Sequence, residues 1–186
     1  MDTVTLLGIS LALGMDALAV SAAVAAGLSD VTGRHMFRLS WHFGLFQGLM
    51  TILGAGVGAG LAGFLSKAGH WIAFSLLAFM GAKMIYESRN PESRTEDYDP
   101  SRGWSLVALS VAVSIDALAV GFSLRLLGIS AWHPALVIGL FALVMAFAGA
   151  RLGKRAGGLV GCWAERVGGL VLMAIGLRIL LEHLIP

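Results

Sequence analysis

Six apolar stretches, at roughly 3–27, 39–63, 70–88, 104–126, 132–152 and 163–184, occupy almost all of this 186-residue chain. A bilayer's hydrocarbon core takes about 20 residues of helix to cross. Each stretch is therefore span-sized, and the segments between them are short. Lipid offers no partner to a backbone N–H or C=O, so only helices and closed barrels cross it. Barrel strands would alternate apolar and polar over short segments, and these runs are continuous. The reading is an all-α integral membrane protein of six transmembrane helices, with no room left for a globular catalytic domain.

Composition agrees where it bears on that reading. The chain is 58% hydrophobic and 13% charged, against about 25% charged in soluble domains. A net charge of +2 and a pI near 9.0 do not indicate a nucleic-acid partner, because the basic residues lie in membrane loops rather than on one folded face. A single cysteine, Cys162, excludes an intrachain disulfide and a cysteine-cluster metal site. The first stretch lacks a basic leader and carries Asp16 at its middle, so it reads as a mature span rather than a cleavable signal. All five tryptophans (Trp41, Trp71, Trp104, Trp132, Trp163) fall at or near the start of an expected span, as in an interfacial aromatic belt.

The chain is also duplicated. Residues 11–21 (LALGMDALAVS) align with 111–121 (VAVSIDALAVG), with six identities in eleven positions. Gly44, Leu45, Phe46, Met50 and Gly54 match Gly139, Leu140, Phe141, Met145 and Gly149, and Gly81, Lys83 and Glu87 match Gly176, Arg178 and Glu182. Three helices per half is an odd number, so the second half must enter the membrane from the opposite side, as in the inverted repeats of secondary transporters. The halves are 1–88 and 104–186. Between them, 89–103 is a polar linker with two prolines, whose Glu92, Glu96, Asp97 and Asp99 are weak candidates for metal sensing. Loops 1–2, 3–4 and 5–6 hold Arg34, Arg38, Arg89, Arg94, Arg102, Arg151, Lys154, Arg155 and Arg166, whereas the opposite face has Lys67, Arg125 and Arg178. The positive-inside rule makes the basic loops cytoplasmic and puts both termini outside.

Asp16 and Asp116 stand in the same pentapeptide near the middle of two spans. A carboxylate at that depth costs about 2.5–3.5 kcal/mol on insertion scales, and the duplication repeats the cost. No lysine or arginine lies at the middle of any span, so protonation or a bound cation is the remaining way to neutralise them. Two carboxylates balance one divalent ion, and oxygen ligands suit Mg, Ca or Mn. Gln47 is the most polar residue of the second span and Thr51 lies one turn on. Met15, Met50 and Met145 are soft donors at similar depth. On the carboxylate faces lie Ala12, Ala19 and Ala23, and Ala112, Ala119 and Ser123, small residues along which the two helices are expected to meet. The candidate metal-ligating set is Asp16, Asp116, Gln47, Met15, Thr51 and Ser123, with a hydrogen-bonded structural pair as the alternative role for the aspartates.

The motifs GMDALAVS (14–21), SIDALAVG (114–121), FGLFQ (43–47), HWIAF (70–74) and GGLVL (168–172) resemble those of the MntP family of bacterial manganese exporters, within the LysE-type superfamily. The resemblance runs the length of the chain. It implies export of Mn²⁺, as transported substrate rather than cofactor, across the cytoplasmic (inner) membrane, with ion binding by Asp16 and Asp116. Some relatives carry an acidic residue where Gln47 stands, and the second half has Ala142 at the matching place. Protons on the two carboxyls would serve as counter-ion. The alternatives are a LysE-type exporter of another cation or small solute, and an intramembrane aspartyl protease. The protease's Gly-x-Gly-Asp is absent, since Asp16 follows Gly-Met and Asp116 follows Ser-Ile.

Overall fold

The computed structural model describes residues 2–28, 30–57, 71, 74, 75, 78, 79, 81, 82, 85, 86, 99–160 and 162–184. Six helices are defined there: α1 (Thr3–Gly27), α2 (Gly33–Gly56), α3 (Gly103–Val113), α4 (Ile115–Leu126), α5 (Trp132–Val160) and α6 (Cys162–Leu184). The residues described between 71 and 86 are also helical and fall in the expected 70–88 span. No strand occurs among the described residues. α1 and the Trp132–Ala156 part of α5 are each long and apolar enough to cross a membrane. α3 and α4 together make a third such span, bent by 42° at Ser114.

The outer surface is unlike that of a water-soluble bundle. Large apolar side chains point outward in stripes: Val4, Leu7, Leu11 and Met15 on α1; Leu45, Leu49 and Leu53 on α2; Leu136, Leu140 and Val144 on α5. The interior mixes alanines, among them Ala17, Ala23, Ala142, Ala146 and Ala150, with larger side chains such as Leu39, Phe43 and Leu109. Lipid tails are as apolar as leucine, so large side chains gain little by turning inward, and close backbone approach supplies much of the attraction between helices.

Glycines mark those approaches. A Cβ on Gly44 would lie 2.8 Å from the Gly139 carbonyl oxygen, and one on Gly139 would lie 2.9 Å from the Gly44 oxygen. The contact is reciprocal and sits where α2 and α5 cross antiparallel, since Gly48 meets Ala135. α1 runs parallel to α5: Gly14 faces Met145, Leu18 faces Gly149, and Ala22 faces Gly153. α2 runs in the same sense as α3–α4, with Gln47 against Val113 and Gly54 against the Leu118 carbonyl. Gly121 in turn sits on the Thr51 carbonyl.

Helix ends depart from the expected spans in an informative way. α1 covers 3–27 as expected, its Asp2 cap accepting the Thr5 N–H at 3.2 Å. α2 begins six residues before the expected 39, where the Thr32 N–H donates to His35 Nδ1 at 3.2 Å. That reciprocal cap replaces the Glu or Gln of the usual capping box. α5 continues past 152 to Val160. The span expected over 104–126 is two helices rather than one.

Candidate functional site

Serines prepare the break in the third span. Ser110 Oγ donates to the Leu106 carbonyl and Ser114 Oγ to the Ser110 carbonyl, both at 2.7 Å and both fully buried. Back-bonding of this kind bends helices. At the break the Ser114 N–H turns to Val111 O, three residues back, at 3.1 Å. The α-helical ladder resumes with Leu118 N–H on Ser114 O. Asp116 therefore lies in the first turn of α4, at the positive end of a helix dipole, where an anion is favoured.

Gln47 reaches this break from α2. Its side chain is 0% exposed, and Nε2 donates to the Val113 carbonyl at 3.2 Å. Its Oε1 is buried with no hydrogen-bond partner among the described residues. An orphaned buried carbonyl is a costly group, at about 1–3 kcal/mol, and it marks a place where a ligand would be welcome. Thr51, also fully buried, donates its hydroxyl to the Gln47 carbonyl at 2.9 Å. The positions matching Gln47 and Thr51 in the second half are Ala142 and Ala146. Interior polarity at these four positions is thus confined to the α2 side that faces the break.

Asp16 is half-buried on α1 and Asp116 half-buried on α4. Leu13, three residues before Asp16, and Ala117, next to Asp116, form with Ile138 a small apolar cluster, with Ile9, Met50 and Val120 against it. It joins α1, α2, α4 and α5 within one turn of Asp16 and beside Asp116. Other candidates stand elsewhere. Met15 is 52% exposed on the outward stripe of α1. Ser123 is exposed and donates to Ala119 O at 3.0 Å. Met145 fills the space opposite Gly14. Of the expected small-residue stripes, Ala23 and Ala112 are buried, whereas Ala12, Ala119 and Ser123 are exposed, so neither stripe packs along its whole length. The glycine approaches of α1 to α5 and of α2 to α4 set the helix rotations instead.

Among the described residues no three His, Cys, Asp or Glu side chains gather in a way that could hold a metal. An ion between the aspartates would need amide, hydroxyl or backbone oxygens, which is the donor set that Gln47 and the broken helix offer. Glu92, Glu96 and Asp97 lie outside the described residues. Asp99 is described, and it forms a node that sequence reading missed. Its Oδ1 accepts the Ser101 N–H and hydroxyl at 2.9 and 2.6 Å, and its Oδ2 meets His35 Nε2 at 3.2 Å. Arg38 and Arg102 stand 3.8 and 3.9 Å from the same oxygen. His35 and Arg38 lie far from Asp99 in sequence, so no local spacing signalled the node.

A helical bundle with apolar stripes on its outer surface, a broken span and an ionisable residue at the break defines an integral membrane protein of the transporter class. The chain belongs to the family described as "Putative manganese efflux pump", whose profile matches residues 30–180. This is a family of pumps and not of enzymes. Relatives carrying that description with the name MntP include those of Syntrophotalea carbinolica, 52% identical over 98% of both chains, and Citrifermentans bemidjiense, also 52% over 98% of both. A third, from Oleidesulfovibrio alaskensis, is 49% identical over 98% of this chain and 97% of its own. No solved structure matches the chain.

Proposed function

We propose that this protein exports Mn²⁺ across the bacterial cytoplasmic membrane through a midplane site built on Asp16 and Asp116. The observation that carries the reading is the buried Gln47 carbonyl oxygen, unpartnered among the described residues, beside the break that begins Asp116's helix. Two carboxylates supply charge balance for a divalent ion, and neutral oxygens complete a hard ligand set. Gln47 is the third ligand, with Thr51 holding its backbone. Met15 and Ser123, which face outward, serve at most in another conformation.

The architecture of the proposal is two inverted three-helix repeats, 1–88 and 104–186, joined by the cytoplasmic linker 89–103. The reciprocal Gly44–Gly139 contact supports it, because those positions match one another in the duplication and would lie on the pseudo-two-fold axis. Gly54 on the Leu118 carbonyl is likewise the counterpart of Gly149 on the Leu18 carbonyl. Ser10, which donates to Leu6 O, is the counterpart of Ser110, which donates to Leu106 O. Rocking of one repeat against the other exposes the site alternately to each side. Both termini are outside. The basic end, where Lys154 Nζ holds the Val31 carbonyl at 2.7 Å and Arg38 faces Asp99, is cytoplasmic. Protons on the two carboxyls carry the return step.

The test is Mn²⁺ efflux from loaded cells, comparing wild type with Asp16→Asn and Asp116→Asn at matched expression. Amides keep the shape and remove the charge, so both variants lose export. Equal efflux from wild type and both variants would place the transport site elsewhere. Efflux indifferent to an imposed proton gradient would remove the proton step alone.

A further inference from the structure

The basic end contains a cavity of about 650 Å³ between the starts of α2 and α3, lined by Thr32, Gly33, Arg34, His35, Arg38 and Arg102. We infer that this cavity binds a phosphate ester at the membrane surface, the headgroup of an anionic phospholipid or a free phosphate of the same chemistry.

Charge is the first argument. Three guanidiniums line the cavity, and among the described residues Asp99 is the one acidic side chain paired with any of them, facing Arg38 and Arg102, which leaves those residues a surplus of two positive charges. Asp99 does not saturate them. Its contacts to Arg38 and Arg102 are long, at 3.8 and 3.9 Å, and Arg34 makes no ion pair among the described residues. His35 adds no anion. Its Nδ1 accepts the Thr32 N–H and its Nε2 faces Asp99, which fits the neutral ring with the proton on Nε2. Planar guanidiniums with unused N–H groups match phosphate oxygens bidentately.

Depth is the second argument. One turn further along α2, Phe37 and Trp41 stack with ring centroids 6.2 Å apart and planes 11° from parallel. They are 64% and 48% exposed on the outside of the bundle. Aromatic side chains in that position sit at the headgroup level of a bilayer, so the arginines beside them stand at phosphate depth. Basic pockets between membrane helices are where anionic headgroups bind. The cavity volume falls within the usual range of small-ligand sites, about 300–1,000 Å³. The ligand would tie Arg34 and Arg38 of α2 to Arg102, the residue preceding α3, and so join the two halves of the chain at this end. The inference uses the membrane setting and not the cargo.

The experiment is native mass spectrometry of the full chain in detergent, titrated with phosphatidylglycerol, with phosphatidylcholine, and with phosphatidylglycerol plus millimolar inorganic phosphate. Wild type retains phosphatidylglycerol over phosphatidylcholine. Arg34→Gln, which removes a guanidinium outside the Asp99 node, weakens that binding roughly tenfold, the loss of one charge-assisted contact. Arg34→Gln/Arg38→Gln abolishes the preference, and Arg125→Gln, at the cavity of the opposite end, leaves it intact. Retention despite phosphate identifies the lipid headgroup as the ligand, whereas displacement by phosphate identifies the free anion. Equal binding of the two lipids, or the same phosphatidylglycerol affinity in Arg34→Gln as in wild type, overturns the inference.

Discussion

Replacing Gly44 by alanine tests the packing logic at its most constrained point. The new Cβ would lie 2.8 Å from both the Gly139 oxygen and Leu143 Cβ, and 3.3 Å from Leu143 Cα. Ordinary contact begins near 3.4 Å, so the shortfall is 3.4 − 2.8 = 0.6 Å. A backbone carbonyl has no rotamer to escape into, and α2 and α5 must separate by about that distance. A gap of roughly 0.5–1 Å forfeits a quarter to a half of each facing atom pair's attraction. Overpacking of this kind costs about 1–3 kcal/mol, or a fall of roughly 2–12 °C in melting temperature for a chain of this size. Gly139→Ala meets the same crossing from the other side, with a shortfall of 3.4 − 2.9 = 0.5 Å. Both alanines require the same separation, so the double variant costs less than the sum of the singles. Thermal unfolding of purified protein in detergent reads all three, with Gly8→Ala, which meets nothing within 4 Å, as the control. Gly44→Ala melting with the control, or full additivity in the double variant, would refute the reasoning.

Other consequences follow from single contacts. Gln47→Leu keeps the volume and removes the orphaned oxygen, but it also takes the Nε2 donor from the Val113 carbonyl. The two effects, about 1–3 kcal/mol each, oppose one another, so melting changes little while Mn²⁺ efflux falls, whereas Gln47→Ala costs about 2–5 kcal/mol through the cavity it leaves. Asp99→Ala frees Ser101 and His35 and lowers stability by about 1–3 kcal/mol, readable as a lower melting temperature. Asp2 has its pKa held below the usual carboxylate range, first by the Thr5 hydroxyl and then by the Thr5 N–H. A depressed folded pKa means that its contribution is full above about pH 4 and is lost as pH falls through the folded value. Hydrogen exchange at the start of α1, corrected for intrinsic rates, therefore loses protection on acidification in wild type, and Asp2→Asn removes that dependence.

Hydropathy located the helices where lipid contact and helix coincide, and missed them where the two part. The first span was legible to the residue because Asp2 caps it just as the apolar run starts. α2 and α5 run beyond their apolar stretches, through Gly33–Arg38 and through Gly153–Val160. Hydropathy senses the bilayer, while the hydrogen-bond ladder continues as long as a cap or a packed neighbour allows. The break at Ser114 was not legible, because serine bonds back to the preceding turn in straight helices as well as bent ones. Its partner, the Gln47 amide, lies 66 residues away in sequence.

What the sequence determined alone is everything written in composition and repetition. It set the membrane as solvent, the helix as the element, the duplication, and two carboxylates at matched positions whose burial demands a reason. Tertiary structure decided which faces meet. Glycines at Gly44, Gly54, Gly121, Gly139 and Gly149 let backbones approach, and the resulting helix rotations turn Met15 and Ser123 outward while burying Gln47 and Thr51 beside the break. Small residues occur all around these helices, so no one-dimensional pattern distinguishes the stripe that packs from the stripe that faces lipid. That choice depends on carbonyls and side chains brought in from distant helices, and it exists only once the chain has folded.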